Sequence, residues 1–392
     1  MKRETLPAGF FLLLLLLLLV LCPPAAALTP LEMAEQQAEK IGLAEVEAFW
    51  EDLERQTGEY LPDFQWRDIL LLYQPGAEPL SLTDILSGLW RFLWREIYFN
   101  LRLLGKLLFL AVVAALLKTL EKAFARESIA TLTQTVVYLA LIVIAMQSFT
   151  VAVNLGRQTV DNLVELIMAV IPLLLTLLAA LGSLASAAIF RPLIIFAVNF
   201  FAALTRDLIF PLIYLTTILS VANHISPRVT VGRLADLLKT VSVWSMGLSM
   251  TIFTGLLAIH GVASSVGDAV TIRTAKFMTG AFLPVVGGML TDAVETVAGA
   301  TLILKNSVHI GGVLIIFYLV AFPLLKILAL VFIYKLAAAL IQPLGETALC
   351  EALNTLGNCL ALVFAAVAIV GLFFYLAITI VAGAGNASFM LR

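Results

Sequence analysis

From Leu103 onward the chain is apolar, broken only by short polar stretches. A helix needs about 20 apolar residues to cross a bilayer. The breaks delimit predicted spans at 103–120, 134–155, 163–190, 192–222, 241–263, 277–304, 308–340 and 349–382. Ahead of them lies the one polar region, 28–88, where Ile41, Leu43, Val46, Phe49, Trp50 and Leu53 recur at helical spacing among glutamates. That pattern predicts an amphipathic helix. Gly58, Pro62, Pro75, Gly76 and Pro79 then mark turns. Ser81-Leu82-Thr83-Asp84 reads as a helix start of the capping-box kind, with Asp in place of the commoner Glu. The helix behind it carries Trp90, Trp94 and Tyr98 with Arg91, Arg95 and Arg102, which suits a membrane interface or packing on neighbouring helices.

Two long apolar segments, 192–222 and 308–340, carry an internal proline. Pro172 to Pro284 is a shift of 112, and Pro211 to Pro323 is the same shift. Phe210-Pro211-Leu212 falls on Phe322-Pro323-Leu324. Two proline pairs at one offset point to an internal duplication. The repeat units run over 134–222 and 241–340, joined by a loop at 223–240, with a last span at 349–382. In transporter folds such paired, interrupted segments mark the working site. Pro172, Pro211, Pro284 and Pro323 are the predicted helix breaks.

The distribution of Lys and Arg bears on topology. If 192–222 and 308–340 each dip into the bilayer and turn back, nine of these residues fall inside and four outside. If each crosses once, the division is seven to six. The positive-inside rule favours the returning form. The 14 residues from Pro192 to Thr205 reach only about 21 Å as helix, so Arg206 and Asp207 are expected at a hairpin tip within the membrane.

Composition settles the class. Hydrophobic residues make up 61% and charged residues 13%, and mean hydropathy is +1.04. A soluble domain of that make-up would leave far too much apolar surface in water. The expected fold is all-α, a polytopic helical membrane protein with re-entrant or proline-broken segments and a small exported helical region. A net charge of −2 gives no basic field for nucleic acid. Residues 1–27 read as a signal peptide: Lys2 and Arg3, an apolar Phe10–Leu21, then Ala25-Ala26-Ala27. The domains that follow are 28–102 outside, with the interfacial helix, and 103–133 as first span and inner loop.

The chain carries no GxxxxGK[ST], GxSxG, HExxH or CxxC, and no enzymatic reading, cofactor or metal follows. What remains is charge at membrane depth, which is costly and marks functional positions. The candidates are Arg206, Asp207, Lys326, Glu165, Asp292 and Glu295. Arg206 and Asp207, as neighbours on a helix, are expected to point apart and to need other partners: either Asp207 pairs with Lys326 of the other interrupted segment, or Arg206 and Lys326 each snorkel to an interface. Arg273 and Lys276 share a helical face in a polar loop and are expected to touch headgroups or a partner protein.

Three stretches carry a family resemblance: RTAKFMTGAFLPVVGGMLTDAVETV at 273–297, LILKNSV at 302–308 and FPLIYLTTILSVAN at 210–223. These resemble the stage III sporulation protein AE family of endospore formers. The resemblance extends over nearly the whole chain and implies a place in the mother-cell membrane around the forespore. It also implies partners: proteins of the same operon, including a cytoplasmic ATPase and ring-forming membrane proteins, and stage II protein Q across the intermembrane space. The implied function is a membrane subunit of the channel or secretion-like complex between the two cells, its permease-like gate. A non-conducting scaffold and an ion-coupled transporter of a small solute are the alternatives.

Overall fold

A computed structural model of the chain describes residues 81–124, 127–225, 231–282 and 287–390, with a few isolated positions before residue 56; side chains are described within 81–119, 136–184, 186–224, 231–259 and 297–383. The helices are α1 Leu82–Phe124, α2 Glu127–Ala180, α3 Leu184–Ala203, α4 Phe210–Ile225, α5 Gly232–Phe282, α6 Gly287–Ile341 and α7 Thr347–Met390. A π-helical turn, Leu204–Ile209, joins α3 to α4 without a break. There is no strand among the described residues. Six stretches are long and apolar enough to cross a membrane, from Thr83–Thr119 to Thr347–Gly383. The chain is an all-α polytopic membrane protein.

The helices are longer and fewer than the sequence breaks imply. The predicted spans 134–155 and 163–190 overlap α2, whose 54 residues run straight through Pro172. The polar stretch around Arg157, expected as an outer loop, is one face of that helix. Its polar side chains alternate with buried Val160 and Leu163 and half-buried Leu155, packed in the core, which is an amphipathic helix rather than a turn. Likewise 308–340 belongs to α6, which passes through Pro323.

The segment 192–222 does not turn back either. It lies within one rod, Ser186–His224, of 39 residues, and Pro211 changes its winding without reversing it. In an α-helix the proline ring would press on the carbonyl four residues earlier, and the missing N–H would leave a bond unmade. Here the turn ahead of Pro211 widens to the π form, with the Phe210 N–H donating to the Thr205 carbonyl five residues back. That is the local relief typical of a π-bulge.

The centre of the bundle is α2 and α7. Helices α1 and α6 pack on one flank, and α3, α4 and α5 on the other. Tyr334 of α6 donates to the Ala145 carbonyl of α2 at 2.7 Å. On the other flank Phe201, Phe253 and Phe373 bring α3, α5 and α7 together, with ring centroids 4.5–5.5 Å apart. Helices α6 and α7 approach closely at Gly371, where a Cβ would stand 2.8 Å from Val320 Cγ2.

One end of the bundle is tied by a buried carboxylate. Glu346, fully buried, stands in the turn between α6 and α7. Tyr138 of α2 donates to its Oε2, and Lys118 Nζ of α1 lies 3.3 Å from Oε1. Lys118 also donates to the Gly345 carbonyl. Four helices therefore meet on one acid.

Two outcomes follow for stability. Gly371→Ala overpacks the α6–α7 contact and is expected to cost roughly 1–3 kcal/mol, with Val320→Ala restoring most of it in thermal unfolding of the purified protein. Glu346→Ala removes the acceptor of Tyr138 and the partner of Lys118 and is expected to cost roughly 1–3 kcal/mol in the same measurement. Lys118→Met, at a partly exposed position, is expected to cost less.

Candidate functional site

Arg206 and Asp207 stand near the middle of the rod Ser186–His224, about 30 Å along the helix axis from Ser186. A hydrocarbon core is about 30 Å thick. A bilayer centred on this rod therefore puts both residues well inside it.

The π turn decides how they are used. Arg206 Nε donates to Asp207 Oδ1 at 2.9 Å and Nη2 to Asp207 Oδ2 at 3.2 Å. Adjacent residues on an ordinary α-helix point about 100° apart, and the expectation that this pair faces different partners rested on that. The wider turn instead closes a two-point guanidinium–carboxylate pair. The remaining arm crosses to α2, where Arg206 Nη1 donates to Asp161 Oδ1 at 2.9 Å. Arg bound at two points to a carboxylate is the strong form of such a contact.

The cluster is not sealed. Its side chains are 44% exposed at Arg206, 45% at Asp161 and 62% at Asp207. On α2, Arg157, Asp161 and Glu165 recur every four residues along one face. The Nε of Arg157 is buried without a hydrogen-bond partner. Lipid tails offer none of these groups a partner. A seam of this kind between α2 and the α3–α4 rod is suited to water or to another polypeptide, not to hydrocarbon.

The expected partner of Asp207 is elsewhere. Lys326 Nζ sits 5.9 Å over the Phe92 ring, a cation–π contact between α6 and α1. It lies on the far flank of α2 and α7, so the Asp207–Lys326 pair does not form. The side chains of Asp292, Glu295, Arg273 and Lys276, and the residue Pro284, lie outside the described residues. Glu165 is exposed, one turn beyond Asp161. Pro172 lies inside α2, where Thr176 Oγ1 donates to its carbonyl at 2.8 Å.

The polar stretch that holds Asp161 and Arg157 reads in sequence as a loop, which hides both residues. The four-residue spacing of Arg157, Asp161 and Glu165 is the signal that could have found them. Lys305 is another such residue: 1% exposed, it donates to the Ala382 carbonyl at 2.7 Å and helps hold α6 to α7. Among the described residues no three His, Cys, Asp or Glu side chains are grouped to hold a metal.

No solved structure matches the chain. A protein of Bacillus subtilis (strain 168) named stage III sporulation protein AE is 38% identical over 366 residues, covering 93% of this chain and 92% of the relative. The family model for stage III sporulation protein AE matches residues 64–385. With most of its length matched in both comparisons, the chain belongs to the stage III sporulation protein AE family.

Proposed function

We propose that this chain is a membrane subunit of a channel or secretion-like complex joining the mother cell to the forespore, and that it acts there as a permease-like gate. Family membership supports the sporulation setting. The observation that carries the gate is the half-exposed cluster of Arg206, Asp207 and Asp161 at mid-rod. A purely structural cluster at that depth would be enclosed; this one opens on the flank between α2 and the α3–α4 rod. Exchange of Arg206 between full pairing and pairing with Asp207 alone would release α2 from the rod and widen the seam. The π turn supplies the compliance, because its backbone bonds are already off the α register.

The same reading sets the chain in the mother-cell membrane around the forespore, with its signal peptide removed. Lys118, Arg233, Lys239 and Lys335 gather toward one end of the bundle, and the positive-inside rule assigns that end to the mother-cell cytoplasm. The proposed partners are the other proteins of its operon, a cytoplasmic ATPase and ring-forming membrane proteins among them, and stage II protein Q across the intermembrane space.

Two experiments test this. Arg206→Met and Asp161→Asn are each expected to lower heat-resistant spore counts at least about tenfold, while the protein still accumulates in the membrane. The double variant, which removes one charge of each sign, is expected to regain part of the loss. A cysteine at position 161 is expected to react with a charged, membrane-impermeant thiol reagent. Wild-type spore counts together with an unreactive cysteine would leave a scaffold and no gate. Separately, affinity purification from sporulating cells is expected to recover the ATPase and the ring-forming proteins; their absence would sink the assignment of partners.

A further inference from the structure

A second polar site lies away from the charged cluster, toward the end of the bundle where Glu346 sits. It is a cavity of about 290 Å³ between α4, α5 and α7, close to the lower end of the usual size range for small-molecule pockets. Each helix turns a polar stripe toward it. On α4 the stripe is Thr216, Ser220 and Asn223. On α5 it is Asp236 and Lys239, and on α7 Thr355, Asn358 and Cys359. The spacings of three and four residues keep each stripe on one face of its helix. In a bundle this apolar, three such stripes facing one space are a built feature.

The groups on its wall are not used up. Thr216 is 1% exposed, and its hydroxyl is buried with no hydrogen-bond partner. An unmet buried hydroxyl is costly. Asn223 accepts the Gly232 N–H at its Oδ1, 3.1 Å away, which turns its amide nitrogen elsewhere. Lys335 donates to Asn358 Oδ1 at 2.6 Å. Because Lys only donates, the Asn358 oxygen is fixed and its NH2 is left as a donor. His224 is engaged instead: its Nδ1 meets the Ser220 carbonyl at 2.6 Å and its Nε2 lies 3.6 Å from Glu351. Asp236 and Lys239, one turn apart on α5, form no ion pair with each other among the described residues.

We infer that this cavity binds a small zwitterionic solute of the amino-acid class, its carboxylate taken by Lys239, the Asn358 amide nitrogen and the Thr216 hydroxyl, and its ammonium by Asp236. Two kinds of charge are presented on one wall. An anion alone would leave Asp236 facing like charge, and a cation alone would leave Lys239 so. The site does not depend on whether the charged cluster gates anything.

The test uses the full chain in lipid nanodiscs, with radiolabelled L-alanine as probe and acetate and methylammonium as single-charge competitors. Saturable L-alanine binding is expected, with neither competitor displacing it at equal concentration. Thr216→Val, Asp236→Asn and Lys239→Met are each expected to weaken binding at least about tenfold, a loss of 1.4 kcal/mol, while Thr216→Ser keeps it. Absence of saturable binding overturns the proposal, as does a Thr216→Val protein that binds as well as wild type. Equal competition by acetate would make it an anion site, and by methylammonium a cation site; either result overturns the zwitterion assignment.

Discussion

Arg206 can lie at mid-bilayer depth only because carboxylates reach it, and the backbone is wound to bring them there. Hydrocarbon supplies no hydrogen bonds and almost no screening, so the protein must provide every partner. The turn ahead of Pro211 is opened to the π form, and the opened turn lets Asp207 face Arg206. The same turn leaves one arm of the guanidinium free for Asp161 on α2. A residue that would ordinarily damage a membrane helix is here the condition for holding a charge inside one. Lys326 solves the same problem more weakly on the other flank, with an aromatic face in place of an acid.

The membrane class, the all-α fold and the family were legible in the sequence, since each rests on signals spread over hundreds of residues. The breaks were not. A polar stretch such as Asn154–Glu165 reads the same in a hydropathy profile whether it is a loop or one face of a long helix. What separates the two is the packing of Leu155, Val160 and Leu163 against other helices, which is a tertiary fact. The proline was found correctly and misread. A proline says that a bond is missing, not whether the chain turns back or the turn widens. Asp161 and Arg206 are 45 residues apart, and no local pattern joins them.

The lengths also matter. Helices of 43 to 55 residues, apart from the jointed α3–α4 rod, measure roughly 65 to 80 Å, about twice a hydrocarbon core. A bilayer cannot cover their whole apolar length. The tie at Glu346 closes one end, and the charged seam opens near the middle of the rod. Trp90 and Trp94 sit exposed on α1 at the level where Phe92 meets Phe322, as aromatic residues do at an interface.

The charged seam and the polar cavity are linked through one rod. Arg206 lies in the π turn, and Thr216, Ser220 and Asn223 follow it on α4. A π turn carries one more residue than an α turn. That extra residue rotates everything after it by about 100° relative to everything before. With an ordinary α turn, α3 could face α2 and α5 as it does, but the α4 stripe would swing away from α7 and the cavity would lose its third wall. The π turn therefore sets the register of both sites. Any motion that rewinds the π turn must move the Arg206 pairing and the shape of the cavity together.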